Sequence, residues 1–109
     1  MGESFERGAL TEAVYYILLS LYTPMHGYGI MQTVKELSNQ RVNLGAGTLY
    51  GAINTLLEKN WIIAIEGEKD SRKKEYMIST LGKSMIQGEI ERLHELIANG
   101  EKIAGGKAI

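Results

Sequence analysis

The sequence predicts a mainly α-helical chain with one small β-hairpin, in the order of a winged helix-turn-helix followed by one further long helix. Three observations carry that expectation. Apolar residues recur at helical spacing in four separate stretches. Two short runs suited to strands flank a charged, turn-rich segment between the third and fourth of them. With 109 residues, of which 44% are apolar and 23% charged, the chain can build one core and is too short for two.

Thr11 is placed to cap a first helix running to about Tyr22, with Glu12 in its first turn and Val14, Ile17, Leu18 and Leu21 at helical spacing. Pro24, the only proline, ends it. A second helix begins near Gly27 and carries Ile30, Met31, Val34 and Leu37 on one face before the polar stretch Ser38, Asn39, Gln40. Arg41 to Leu44 reads as a short extended strand. The segment Gly45-Ala46-Gly47-Thr48-Leu49-Tyr50 then opens a third helix, with Leu49, Ile53, Leu56 and Leu57 in one apolar arc. Asn60 is placed to stop it, because asparagine tolerates the left-handed conformation needed just past a helix end.

Trp61 to Ile65 and Glu75 to Ile78 are the expected strands of the hairpin, whose tip is too long for a tight turn. A fourth helix is expected from about Thr80 to Ala98, closed by Gly100. The resulting division is a winged helix-turn-helix domain over 1–79, a C-terminal dimerisation helix over 80–99 and a flexible tail over 100–109, which contains the Gly105-Gly106 pair.

Cysteine is absent, which removes disulfides, thiolate metal sites and cysteine nucleophiles, and suits a reducing cytosol. Met1 to Arg7 lacks the basic-then-apolar order of a signal peptide, and no apolar run approaches the roughly 20 residues of a spanning helix, so a cytoplasmic location without membrane contact is expected. Glu91 and His94 have the Glu-x-x-His spacing of di-iron helices but no residue to bridge the metals. Gly45, Gly47 and Gly51 lack the P-loop Lys-Ser/Thr, and no nucleophile elbow is present. No enzyme, cofactor or metal site is expected.

The outward arc of the third helix holds Gly47, Thr48, Gly51, Asn54, Thr55 and Glu58, with Tyr50 on its flank. Small, uncharged residues near the N-terminus suit a helix entering a groove about 12 Å wide, and Asn54 could read an adenine edge or hold a phosphate. The alternative is a solvated face that happens to be small. Lys69, Asp70, Ser71, Arg72, Lys73 and Lys74 give the hairpin tip a charge of +3, on a chain whose 12 basic and 13 acidic residues sum to −1. Such a tip could follow a phosphate backbone, or could be an ordinary solvated hairpin end.

The motifs Arg7-Gly8-Ala9-Leu10, Pro24-Met25-His26-Gly27-Tyr28-Gly29-Ile30, Gly47-Thr48-Leu49-Tyr50, Leu56-Leu57-Glu58-Lys59, Lys73-Lys74-Glu75-Tyr76 and Ser79-Thr80-Leu81-Gly82, in that order, resemble the PadR family of bacterial transcriptional regulators. The resemblance covers roughly residues 7–97. It implies a winged-helix dimer that binds a palindromic operator, usually as a repressor relieved by a small molecule. Two positions depart from the pattern: Gly51 stands where proline is usual, and Asn60 where glycine is usual. Carried over, the resemblance makes Tyr50 the foremost candidate for a contact to phosphate or base, with Thr48 and Asn54 beside it; packing of Tyr50 against the wing is the alternative. Tyr28 could reach the DNA backbone, but capping or core packing fits both His26 and Tyr28 equally.

Ile86, Ile90, Leu93, Leu96 and Ile97 form an apolar stripe on a helix that the fold does not itself require, which points to a homodimer. The expected partners are double-stranded DNA, a second copy of the chain and, as the resemblance implies, a small apolar or aromatic effector, for which Tyr15, Tyr16 and Tyr22 are candidate lining residues against ordinary packing. Trp61 is expected to anchor the core. A different class of function, a winged-helix module that binds protein without specific DNA binding, uses the same scaffold.

Overall fold

The computed structural model describes residues 9–65 and 74–105. Its elements are α1 (Glu12–Ser20), α2 (Gly27–Leu37), α3 (Ala46–Glu58), β1 (Ile62–Ile65), β2 (Glu75–Ile78) and α4 (Thr80–Ala104). Short-range chemistry sets most of the boundaries. Thr11 Oγ1 accepts the Val14 N–H, His26 Nδ1 accepts the Gly29 N–H and Ser79 Oγ accepts the Gly82 N–H, each satisfying a first-turn donor that the helix itself cannot. At the end of α3, Asn60 takes φ 64°, and the N–H groups of Asn60 and Trp61 return to the carbonyls of Leu57 and Leu56. That closes a Schellman motif, as the asparagine at this position predicts. Asn39 and Gln40 do the same after α2, bonding Glu36 and Lys35.

One core joins all the elements. Ile17, Leu18 and Leu21 from α1 and its C-terminus meet Ile30 and Val34 of α2, Leu49, Ile53 and Leu56 of α3, Ile62, Tyr76 and Ile78 of the hairpin, and Ile86 of α4. The strands pair antiparallel, with Ile62 opposite Ile78 and Ala64 opposite Tyr76. Trp61 packs against this core from its edge, as expected of an anchor.

Four expectations need correction. Arg41 to Leu44 is not a strand: the Val42 N–H is taken by the buried Ser38 Oγ at 2.9 Å, and the extra pairing to the sheet comes instead from Met25, whose backbone exchanges two hydrogen bonds with Tyr76. Leu37 is half exposed, because Ser38 occupies the inward position and closes the loop. Gly100 does not end α4; the helix runs on to Ala104 and terminates on Gly105 at φ 73°, so the residues 100–104 assigned to a flexible tail are helical. Glycine inside a helix costs up to about 1 kcal/mol relative to alanine, which is too little to stop it without a left-handed cap.

The fourth correction concerns Ile86, assigned from sequence to a dimer interface. Only 1% of it is exposed, within the core of its own subunit, because the first turns of α4 lie against α1 and β2. Beyond that contact α4 projects: at about 1.5 Å per residue its 25 residues span about 37 Å, and the molecule extends 59 × 31 × 21 Å. Among the described residues no helix is long and apolar enough to cross a membrane.

Candidate nucleic-acid interface

The inner face of α3 is fixed by Leu49, Ile53 and Leu56, which leaves Gly45, Ala46, Gly47, Thr48, Tyr50, Gly51, Asn54, Thr55 and Glu58 exposed. This is the arc that the sequence predicts to face outward. A methyl group added at Gly45, Gly47 or Gly51 would meet nothing within 4 Å, so the first two turns present bare backbone to the outside. The N-cap is Gly45, with no side-chain hydrogen bond and no acidic residue in the first turn. The free N–H groups and the positive end of the helix dipole therefore remain available to an anion. Thr48 and Asn54 lie on this surface. The Thr55 hydroxyl is spent on the Gly51 carbonyl at 3.2 Å.

Tyr50 is held in a more particular way. Its phenol lies across the start of α2, where a Cβ built on Gly27 would stand 2.0 Å from the Tyr50 Oη and 2.6 Å from Cζ, while 44% of the residue stays exposed. Burial, and secondarily the charge of an ionised Tyr50, push the Tyr76 hydroxyl above its ordinary range. Tyr50 thus packs on α2 beside the root of the hairpin and still offers an edge to the surface. Sequence reasoning does not single out Gly27 or Met25 as individual functional positions. The available signal is a glycine at the first position of a helix without a positive φ, where only close approach explains the missing side chain.

His26 caps α2, while Tyr28 is 61% exposed and its hydroxyl accepts a hydrogen bond from Gln32 Nε2 at 3.2 Å, so it is not a core residue. Of the hairpin cations, Lys74 is exposed at the start of β2; Lys69, Arg72 and Lys73 lie outside the described residues. Tyr15 and Tyr16 are partly buried and packed on the core, with ring centroids 5.9 Å apart. Tyr22 is half exposed, with Lys83 Nζ 5.5 Å from its ring centroid. Among the described residues no three His, Asp or Glu side chains gather as a metal site.

On α4, Ile90 packs against the core and Leu93 is half-buried, whereas Leu96 and Ile97 are more than half exposed. Ile103, beyond the end expected from sequence, is the most exposed large apolar residue of the described chain. At the base of this helix Glu89 is buried and binds Arg92 by two hydrogen bonds, of 2.9 and 2.5 Å.

Residues 16–88 match the transcriptional regulator PadR-like family. The chain belongs to that family. A curated relative, an uncharacterised 37.1 kDa protein in transposon TN4556 of Streptomyces fradiae, is 29% identical over 73 residues, which cover 67% of this chain and 20% of that protein. The chain thus spans about a fifth of the relative it matches. A transcriptional regulator from Clostridium thermocellum superposes with a TM-score of 0.67 at 18% identity, covering 91% of this chain and 93% of the other. RosR of H. salinarum gives 0.66 at 17%, covering 94% and 96%. MepR of S. aureus, solved in complex with DNA, gives 0.57 at 18%, covering 96% and 86%. At these identities the likeness shows the winged-helix fold. The family is one of transcriptional regulators, as is the C. thermocellum neighbour, and not of enzymes.

Proposed function

We propose that this PadR-like regulator is a DNA-binding repressor that grips a palindromic operator as a homodimer. The observation that carries the reading is the outward surface of the first turns of α3: uncharged, open at three glycines and led by an N-terminus without a side-chain cap. In this reading α3 enters the major groove, Asn54 and Thr48 meet base edges or phosphates, and Tyr50 meets the backbone beside them. Lys69, Arg72, Lys73 and Lys74 track phosphates from the wing. That MepR was solved on DNA supports the use of this scaffold for such binding.

The second copy covers the projecting part of α4, through Leu93, Leu96 and Ile97, continuing to Ile103. Ile90 contributes at the edge of the core, and Ile86 takes no part. A two-fold dimer places its two reading helices about 34–36 Å apart, one turn of DNA. An apolar or aromatic effector that releases the operator, met by Tyr15, Tyr16 or Tyr22, completes the proposed cycle.

The test is fluorescence anisotropy on a duplex from upstream of the protein's own gene. Tight binding that resists nonspecific competitor and weakens steeply with salt is expected. Binding no tighter than to random duplex contradicts the proposal, and a stable protein partner with DNA affinity indifferent to the wing favours the protein-binding module instead.

A further inference from the structure

We propose that Gly27 is a positioning residue for DNA reading: its missing side chain is the slot that seats the Tyr50 phenol and so fixes where that side chain stands on the reading surface. The inference rests on the DNA-binding reading above. Gly27 is buried at the first position of α2, and its backbone lies in the ordinary helical region, so conformational freedom does not account for it. Space does. The three atoms nearest to an added Cβ are all from Tyr50: Oη at 2.0 Å, Cζ at 2.6 Å and Cε1 at 3.2 Å.

The same short segment holds the wing. Two residues earlier, the Met25 N–H donates to the Tyr76 carbonyl at 3.1 Å, and the Tyr76 N–H donates to the Met25 carbonyl at 3.0 Å. Residues 25–27 therefore touch both parts of the surface proposed to meet DNA, α3 through a side chain and the hairpin through a backbone bridge.

A methyl group at Gly27 forces the phenol tip to retreat by about 1 Å or more, since a methyl carbon essentially never stands within 3.0 Å of a non-bonded heavy atom. The atoms that must move are the free end of a half-exposed ring, not backbone, so Tyr50 can swing outward while the core stays closed. The fold survives, and what is lost is the position of Tyr50.

The experiment is a double-mutant cycle on a duplex that the wild-type protein binds, read as affinity well below the melting temperature, with melting measured beside it. Gly27→Ala is expected to weaken binding on the order of tenfold, which corresponds to about 1.4 kcal/mol, with little change in melting or in the salt slope. In a Tyr50→Leu background, which empties the slot, the same Gly27→Ala change is expected to cost less than about twofold. Wild-type affinity in Gly27→Ala, or an equal loss in both backgrounds, overturns the inference and leaves the DNA reading standing. A wild-type protein that binds no duplex specifically overturns the DNA reading and this inference with it.

Discussion

The first turn of α4 passes close against backbone at Gly82, and replacing that glycine gives a test with a matched control. A Cβ on Gly82 would stand 2.2 Å from the Trp61 carbonyl oxygen and 2.7 Å from Ile78 Cγ1. That carbonyl accepts the Ser79 N–H at 2.9 Å, and the Ser79 hydroxyl donates to the Asn60 carbonyl at 2.7 Å. Backbone held on both sides cannot swing away as a ring tip can. Overpacking of this kind costs about 1–3 kcal/mol, and the strained hydrogen bond adds about 1 kcal/mol. The better helix propensity of alanine returns up to about 1 kcal/mol. The net expected for Gly82→Ala is a loss of about 1–3 kcal/mol.

Gly88, two turns along the same helix, is exposed and has nothing within 4 Å of an added Cβ. There the same substitution is expected to stabilise by about 0.5–1 kcal/mol. Thermal melts at one fixed protein concentration should therefore move in opposite directions, by roughly 4–8 °C per kcal/mol for a domain of this size. A Gly82→Ala protein that melts at or above the wild-type temperature would refute the argument that α4 is seated on the Trp61 backbone.

The proposed binding makes further demands. Lys73→Ala with Lys74→Ala should weaken binding to every duplex sequence and flatten the logarithmic salt slope by roughly 0.9 for each phosphate no longer neutralised, measured by anisotropy across a salt series. Leu96→Ser with Ile97→Ser should leave the subunit folded, since both side chains are more than half exposed, yet give a monomer in sedimentation and lower operator affinity on the order of a hundredfold. Arg92, and then the Leu10 backbone N–H, hold the Glu89 carboxyl below its ordinary value of 4.5 against the opposing effect of burial. Its contribution is thus complete above that pH and is lost as pH falls through the lower folded value. Glu89→Gln should cost roughly 1–2 kcal/mol near neutrality, with the gap to wild type closing in acid, as read from urea melts over a pH series.

Features set by neighbours in the chain were legible in the sequence. Thr11 as a cap, Asn60 as a left-handed stop, and the inward face of α3 all follow from chemistry within a few residues. What the sequence misplaced depends on distant partners or on competition. Arg41 to Leu44 has strand composition, but Ser38 Oγ captures the Val42 N–H and Met25 takes the pairing with the sheet. The stripe on α4 has one helical period along its length, and periodicity does not say that Ile86 is covered by its own subunit while Ile97 is left bare.

Gly100 carries the same local stop signal as Gly105, and only the second adopts the left-handed turn. The Gly27 slot was the least visible feature. Its cause, Tyr50, stands on another helix, so the His-Gly-Tyr and Gly-Thr-Leu-Tyr motifs read as two signals when the fold makes them one contact. The overall charge of −1 misleads for a similar reason, since the cations of the hairpin tip are offset elsewhere in the chain.

The most direct measurement of the central claim is selection of bound duplexes from a random pool by the intact protein. An inverted repeat with half-sites one helical turn apart, bound by two copies of the chain and lost from Asn54→Ala selections at specific base positions, is the result expected. A pool that never converges on any sequence, at a protein concentration where the chain is folded and dimeric, would contradict it.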